Sequence, residues 1–359
     1  MTLPSGLGAQ WCAVDETTYG VAPSLSTAVF YAADSDSLQL KKVPKQGTGI
    51  FAGGMAPRGS RRRVTEYSVQ GQLPLDLPMR QMNPWLRRMM GSYGQAGATL
   101  TQDASTGAYS ATHSLGDLTG HSFALQAGKP TVDATTEPHT YTGCKVQAWE
   151  ISCAMGEIAK LNLTIEGRNE LNGTWKDALN GSVPSLQSFT APVTGQVFSW
   201  VDAGVYYGGT PSTTSGVTTV SGATLAGNVV GPLSLKVTRP MDLNRFAPNA
   251  APFRNEPLQN SWTQIQGNWV VEWLSAETYM AAYQSDTPLT IELRFTGPGI
   301  GSGSDKAMLG LLCSQVYLDG ESPKVPGPGL LTQTIPWDVT DDGTNNVLQA
   351  TYWTLDTTG

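Results

Sequence analysis

Nucleophilic chemistry could begin at Ser122. In GHSFA (120–124) a serine sits among small residues beside a histidine, as in a nucleophile elbow. That motif needs a strand before the serine and a helix after it, whereas LGDLTG precedes and LQAGKP follows. The only histidines are His113, His121 and His139, all in turn-rich stretches and none at metal-ligand spacing. Cys12, Cys144, Cys153 and Cys313 are scattered without a C-x-x-C, so they are expected to be reduced, buried thiols. GPGIGSG (297–303) contains Pro298 and is not G-x-G-x-x-G, which makes it a loop rather than a phosphate cradle. The carboxylates of DVTDDGTNN (338–346) lack calcium-loop spacing and read as a solvated turn. No catalytic residue, metal site or cofactor is expected, and the chain is read as a non-enzyme.

What remains is charge. Three consecutive arginines, Arg61, Arg62 and Arg63, stand in RGSRRRVTEYSVQGQL (58–73), in a chain of formal net charge −7. Between Lys41 and Arg88 the basic residues are Lys41, Lys42, Lys45, Arg58, Arg61, Arg62, Arg63, Arg80, Arg87 and Arg88, against only Glu66 and Asp76. That segment carries +8, so the rest of the chain carries −15. The cluster could grip a polyanion, meet an acidic surface of another copy, or be a solvated loop. Self-association of a basic face with an acidic body is the economical reading.

The elements that must hold these charges are mostly strands. At 359 residues the chain has room for two domains, and 40 glycines and 23 prolines without a collagen period point to a loop-rich, β-rich fold. No uncharged apolar run is long enough to span a membrane, and the start has no secretory-signal pattern. VTEYSVQGQLPLDL (64–77) alternates: Tyr67, Val69, Leu73, Leu75 and Leu77 share one face, and Glu66, Ser68, Gln70, Gln72 and Asp76 the other. Pro74 argues for an edge or bulge late in that strand. Similar alternation marks 145–155, 159–167, 231–238, 262–273, 288–295 and 330–337. Two short helices interrupt it. NPWLRRMMG is expected to have Asn83 as N-cap and Pro84 at the first helical position, and SAETYMAAY is expected to start at Ser275 with an acidic first turn.

The chain also repeats. Residues 38–57 align without gaps on 233–252, with Lys41 on Lys236 and Phe51 on Phe246, and one inserted residue later VQGQLPLDL (69–77) falls on IQGNWVVEW (265–273). Two copies of one β-module are expected, 1–185 and 186–359. The Gly/Ser/Thr tract at 208–227 reads as an exposed insertion in the second copy, near 205–230.

GLGAQWCAVDETTYGVAPS at the start, VQGQLPLDLPMRQMNPWLRRMMGS, YTGCKVQAWEISCAMGEIAKLNLTIEG, and the closing strands from LCSQVYLDGESPKVPGPG to IPWDVTDDG resemble a major tail tube protein of a long-tailed siphophage, in a duplicated-module form. The resemblance covers most of the chain and rests on strand and turn patterns. It implies a mainly β fold of two tandem β-sandwich or half-barrel modules, each with a short flanking helix, whose inner strands form part of a ring-shaped barrel. The rings stack into the tube through which DNA is ejected. The implied location is the virion tail, assembled in the host bacterial cytoplasm. The implied partners are further copies of itself, the tape-measure, tail terminator and distal tail proteins, and DNA passing without specific binding. Two modules per chain suggest a trimeric ring with pseudo-sixfold symmetry, a hexamer being the alternative. The resemblance places an inter-ring contact on residues 43–63 and, through the repeat, 238–260, with Lys45, Ile50, Phe51, Met55, Arg58, Arg61, Arg62, Arg63, Phe246 and Phe253 as its residues. Sliding DNA disfavours a basic wall, so Glu66, Ser68, Gln70, Gln72, Asp76, Gln264, Gln266, Asn268 and Glu272 are the lumen candidates. Ten tryptophans keep a second reading open, a baseplate or adhesin component that binds a host glycan.

Overall fold

Alternation with a period of two becomes antiparallel pairing. The computed structural model describes residues 5–192, 196–248, 251–273, 279–320, 322, 324–325 and 327–357. Its first half holds β1 (Gln10–Glu16), β2 (Val29–Tyr31), β3 (Gln39–Gln46), β4 (Arg62–Asp76), α1 (Asn83–Met90), β5 (Thr101–Gln102) and β6 (Tyr109–Ser114). β7 (Ser122–Pro130), β8 (Thr136–Cys153), β9 (Lys160–Gly167) and β10 (Asn169–Leu171) complete that half. The second half opens with β11 (Ala203–Tyr207), β12 (Thr210–Thr214), β13 (Val217–Ser221), β14 (Thr224–Leu225), β15 (Leu233–Thr238), β16 (Met241–Asp242) and β17 (Leu258–Gln259). It continues through β18 (Gln264–Glu272), α2 (Tyr279–Ser285), β19 (Leu289–Gly299), β20 (Lys306–Leu318), β21 (Thr332–Val339) and β22 (Leu348–Thr354).

The pairings repeat. The order β2–β1–β7–β8–β9–β4–β3 in the first half is matched by β14–β11–β19–β20–β21–β18–β15 in the second. Irregularities repeat as well: the β7–β8 ladder slips between Phe123 and Leu125, and the β19–β20 ladder between Leu289 and Ile291. The register corrects the gapless alignment of 38–57 on 233–252. Gln39 opposes Gln70 and Lys236 opposes Gln266, so the counterpart of Lys236 is Gln39 and not Lys41. A slip of two leaves each side chain on its own face, which is why the sequence match concealed it.

The faces follow the alternation. β4 buries Val69, Leu73 and Leu75, and β18 buries their counterparts Ile265, Trp269 and Val271. Gly71 and Gly267 occupy matching places because a neighbour comes too close for a side chain. A Cβ on Gly71 would lie 2.6 Å from the Leu38 backbone, and one on Gly267 would lie 2.1 Å from the Trp337 ring. Pairing with β3 begins at Gln70, and beyond it the Asp34 and Ser37 amides reach the Pro74 and Gln72 carbonyls while the Gln72 amide donates to Ser37 Oγ at 2.8 Å. Pro74 therefore turns its missing N–H toward an open side of β4.

Helix α1 buries Trp85, Leu86, Met89 and Met90, with the Trp85 ring 5.0 Å from Tyr31 and 5.6 Å from Phe123. Its cap differs from expectation: Met82 is the N-cap and Asn83 the first helical residue. The Asn83 carboxamide is buried and engaged with His113 instead of the helix end. The expected start of the second helix at Ser275, with its acidic first turn, lies outside the described residues. The polar tract folds as the β12–β13 hairpin, whose two-residue turn has positive φ at Ser215 (52°) and Gly216 (80°), as a type I′ turn requires. All four cysteines are free and buried, and Trp85, Trp149, Trp269 and Trp337 are core residues.

Candidate assembly interface

The groups that hinted at catalysis serve the fold. Ser122 opens β7, and its hydroxyl donates to Glu16 at 2.6 Å. The same carboxylate accepts the amides of Gly20 (2.9 Å) and Gly143 (2.8 Å). Burial raises the Glu16 pKa, and these bonds oppose the rise. His121 stacks flat on Tyr93 at 4.0 Å. His113 lies buried between Asn83 Oδ1 (2.8 Å) and Ser92 Oγ (2.7 Å), and burial lowers its pKa to about 4, so the ring is neutral. Among the described residues, no three His, Cys, Asp or Glu side chains converge as a metal site would require.

The functional geometry lies where the halves meet. Ala148–Cys153 of β8 pairs antiparallel with Thr238–Leu233 of β15, fusing β3–β4–β9–β8 and β15–β18–β21–β20 into one continuous sheet. Lys236 stands directly across from Glu150, the charge pairing expected of a specific strand joint. Beyond β15 the chain reaches back over the first half. Arg239, buried, donates to the carbonyls of Met90 and Gly116. The Tyr67 amide donates to Pro252 O at 2.6 Å, and Phe253 stacks on the Tyr67 ring at 5.2 Å with the Arg168 guanidinium 4.9 Å above it. Arg254 pairs with Glu166 at 2.7 Å, both nearly buried, and Lys145 pairs with Glu256 at 2.6 Å.

The loop between β3 and β4 makes no such return. Ile50 and Met55 are fully exposed, while Phe51 carries the Arg58 guanidinium over its ring at 3.9 Å. Arg61 folds onto the Gly49 carbonyl at 2.9 Å. Lys45, Arg58, Arg61, Arg62 and Arg63 are exposed and have no carboxylate partner among the described residues. Lys41 and Lys42 of β3 are exposed too, whereas Arg80 pairs with Asp356, and Arg87 and Arg88 with Asp15. β3 pairs only with β4 among the described residues, so its other edge is open.

The second half carries the complementary sign. Asp338 faces Tyr317 across the β20–β21 ladder, the Asp319 amide donates to Pro336 O at 2.8 Å, and Tyr283, whose carbonyl accepts the Asp286 amide, donates its hydroxyl to Gly320 O at 2.9 Å, so Asp286, Asp319 and Asp338 share one rim; none is in an ion pair among the described residues. The Asp319 pKa is raised, chiefly by its hydrogen bond with the Asp338 carboxyl and then by burial and the charges of Asp338 and Asp286. Trp262, just before β18, is 89% exposed.

A family model described as "Phage tail tube protein" matches residues 6–339. The chain belongs to the phage tail tube protein family. Comparison with curated proteins returned no match. As a tail tube protein it is a structural component of the virion tail that assembles with copies of itself. No helix among its described residues is long and apolar enough to cross a membrane.

The structure separates residues that the sequence grouped. Of the two loops assigned to inter-ring contact, residues 43–63 project freely, whereas Phe253 is packed within the chain and Phe246 is half-buried. Gln70, Gln72, Gln264 and Gln266 are exposed, and Glu66, Asp76, Asn268 and Glu272 partly so, but Ser68 is buried. Asp76 is held by Lys160 at 2.6 Å. The in-chain docking of 239–256 was missed. A signal was present: RNE (254–256) brings an acid, Glu256, that the basic first loop lacks.

Proposed function

We propose that three copies of this tail tube protein close a ring with six module positions, each chain supplying modules 1–185 and 186–359. The single observation that carries this reading is the β8–β15 joint, in which one module's sheet runs into the next. The open edge of β3 offers one side of such a joint between copies, and the second module would meet it with the chain that follows β20 at Leu318. Four strands per module give about 24 in the ring, and at roughly 4.8 Å spacing and 40° tilt the backbone diameter is on the order of 48 Å, wide enough for duplex DNA.

The polar faces of β4 and β18, carrying Glu66, Ser68, Gln70, Gln72 and Asp76 and Gln264, Gln266, Asn268 and Glu272, line the lumen. Amides and carboxylates predominate on these two strands, which favours sliding because each phosphate contact adds salt-dependent affinity, while the register sets Lys41 and Lys236 beside Ser68 and Gln266 as the cations of that face. The exposed tip of residues 43–63, with Ile50, Phe51 and Met55, meets the neighbouring ring, and each anchor contributes about 1.5–3 kcal/mol if fully buried. Arg61, Arg62 and Arg63 set orientation and docking rate there. The role is structural and not enzymatic, with tape-measure, terminator and distal tail proteins as the tube's partners and no cofactor. Electron microscopy of purified protein tests the ring: three chains per ring with pseudo-sixfold symmetry is the expected result, and six chains per ring overturns it.

A further inference from the structure

The internal joint is a template for a contact that the single chain leaves open. Gln70 opposes Glu166 and its counterpart Gln266 opposes Asp338, so Asp338 stands where Glu166 stands. Glu166 is occupied by Arg254 of the β15–β18 connection. The spacing that carries Gln70 to Gln266 carries Arg58 to Arg254 and Glu66 to Trp262, and the spacing that carries Gln39 to Lys236 carries Lys42 to Arg239. Lys42 within β3 and Arg58 on the β3–β4 loop therefore stand at places that match Arg239 and Arg254. One set is docked and the other is exposed.

The receiving side matches too. Gly91 (φ 71°) closes α1, and a Cβ there would lie 3.2 Å from Arg239 Nη1. Asp286 (φ 49°) holds the same left-handed position after α2, so it carries a side chain where the first half has only backbone. A carboxylate at that place suits a lysine.

We propose that the acidic rim of Asp286, Asp319 and Asp338 receives β3 and the β3–β4 loop of a neighbouring copy. Lys42 and Arg58 take there the places that Arg239 and Arg254 take within the chain. This contact rests on the ring reading and adds to it a lateral role for the base of the loop whose tip meets the next ring. The partner is a second copy and not nucleic acid, because the rim is anionic.

Charge reversal tests it. Arg58→Glu and Asp338→Arg, made singly, are each expected to cut tube yield at least about tenfold by sedimentation and electron microscopy, since like charges at a close contact cost several kcal/mol. Neither change touches a core residue, so the isolated chain should melt as wild type. Combining the two reversals should restore tubes. Single variants that assemble normally while wild type forms rings overturn the contact alone, as does a combined variant no better than either single one. Wild-type protein that forms no rings overturns the ring reading together with it.

Discussion

Removing Arg254 should loosen the joint between the two halves by an amount that can be worked out. Its guanidinium lies 2.7 Å from Glu166, with the two side chains 6% and 9% exposed. In Arg254→Met the carboxylate stays out of water without its cation, and losing one partner of such a pair costs about 3–5 kcal/mol. For a chain of this size each kcal/mol lowers the melting temperature by about 2 °C, so the variant should melt about 6–10 °C below wild type. Adding Glu166→Leu should recover most of that loss, because replacing both members of a buried pair by apolar residues is close to neutral. Thermal unfolding followed by circular dichroism, with denaturant titrations, of wild type, Arg254→Met, Glu166→Leu and the double variant gives the coupling energy directly. A loss below about 1 kcal/mol for Arg254→Met, the value of an exposed pair, would refute the claim that this contact locks the halves together.

His113 makes stability acid-sensitive. Its folded pKa of about 4 lies below the unfolded value, so the unfolded chain takes up the proton first; stability is complete above about pH 6.5 and falls by about 3 kcal/mol on reaching pH 4. Urea titrations between pH 4 and 7 should show this slope in wild type and lose it in His113→Gln. Gly267→Ala forces a Cβ into the Trp337 ring and the Ser234 carbonyl, and a cost of about 1–3 kcal/mol is expected in the unfolding midpoint. Replacing Arg61, Arg62 and Arg63 together by Gln should slow tube growth in light scattering while leaving DNA affinity nearly unchanged. Unchanged growth with lost DNA binding would defeat the stacking role.

Strand faces were legible because burial enforces a period of two: Val69, Leu73 and Leu75, and Ile265, Trp269 and Val271, are buried where alternation placed them. The family was legible for the same reason, since its signature is a pattern of strands and turns. Register was not. A slip of two residues changes no face, so only the hydrogen-bond ladder distinguishes Gln39 from Lys41 as the counterpart of Lys236. The cap of α1 was misread because an asparagine at a helix start is ambiguous between capping its own helix and serving a distant group, here His113. The fates of the two loops diverged for a reason invisible to local pattern. Arg239 and residues 252–256 find their dock within the chain, while the dock proposed for residues 43–63 lies on another molecule.

Six identical subunits around an axis must change together, since any substitution appears at every position. This chain escapes that constraint because β8 and β15 join two modules within one polypeptide, and each module can vary alone. The β12–β13 hairpin is the visible result. It is anchored by Gln349, which exchanges hydrogen bonds of 2.7 and 2.8 Å with the Thr218 backbone, and among the described residues the link between β1 and β2 holds only a 3-10 turn at Leu25–Thr27 in its place. In the proposed ring of three copies, any ornament grown on that hairpin would mark every second module, a coarser rhythm than that of the sheet that carries it.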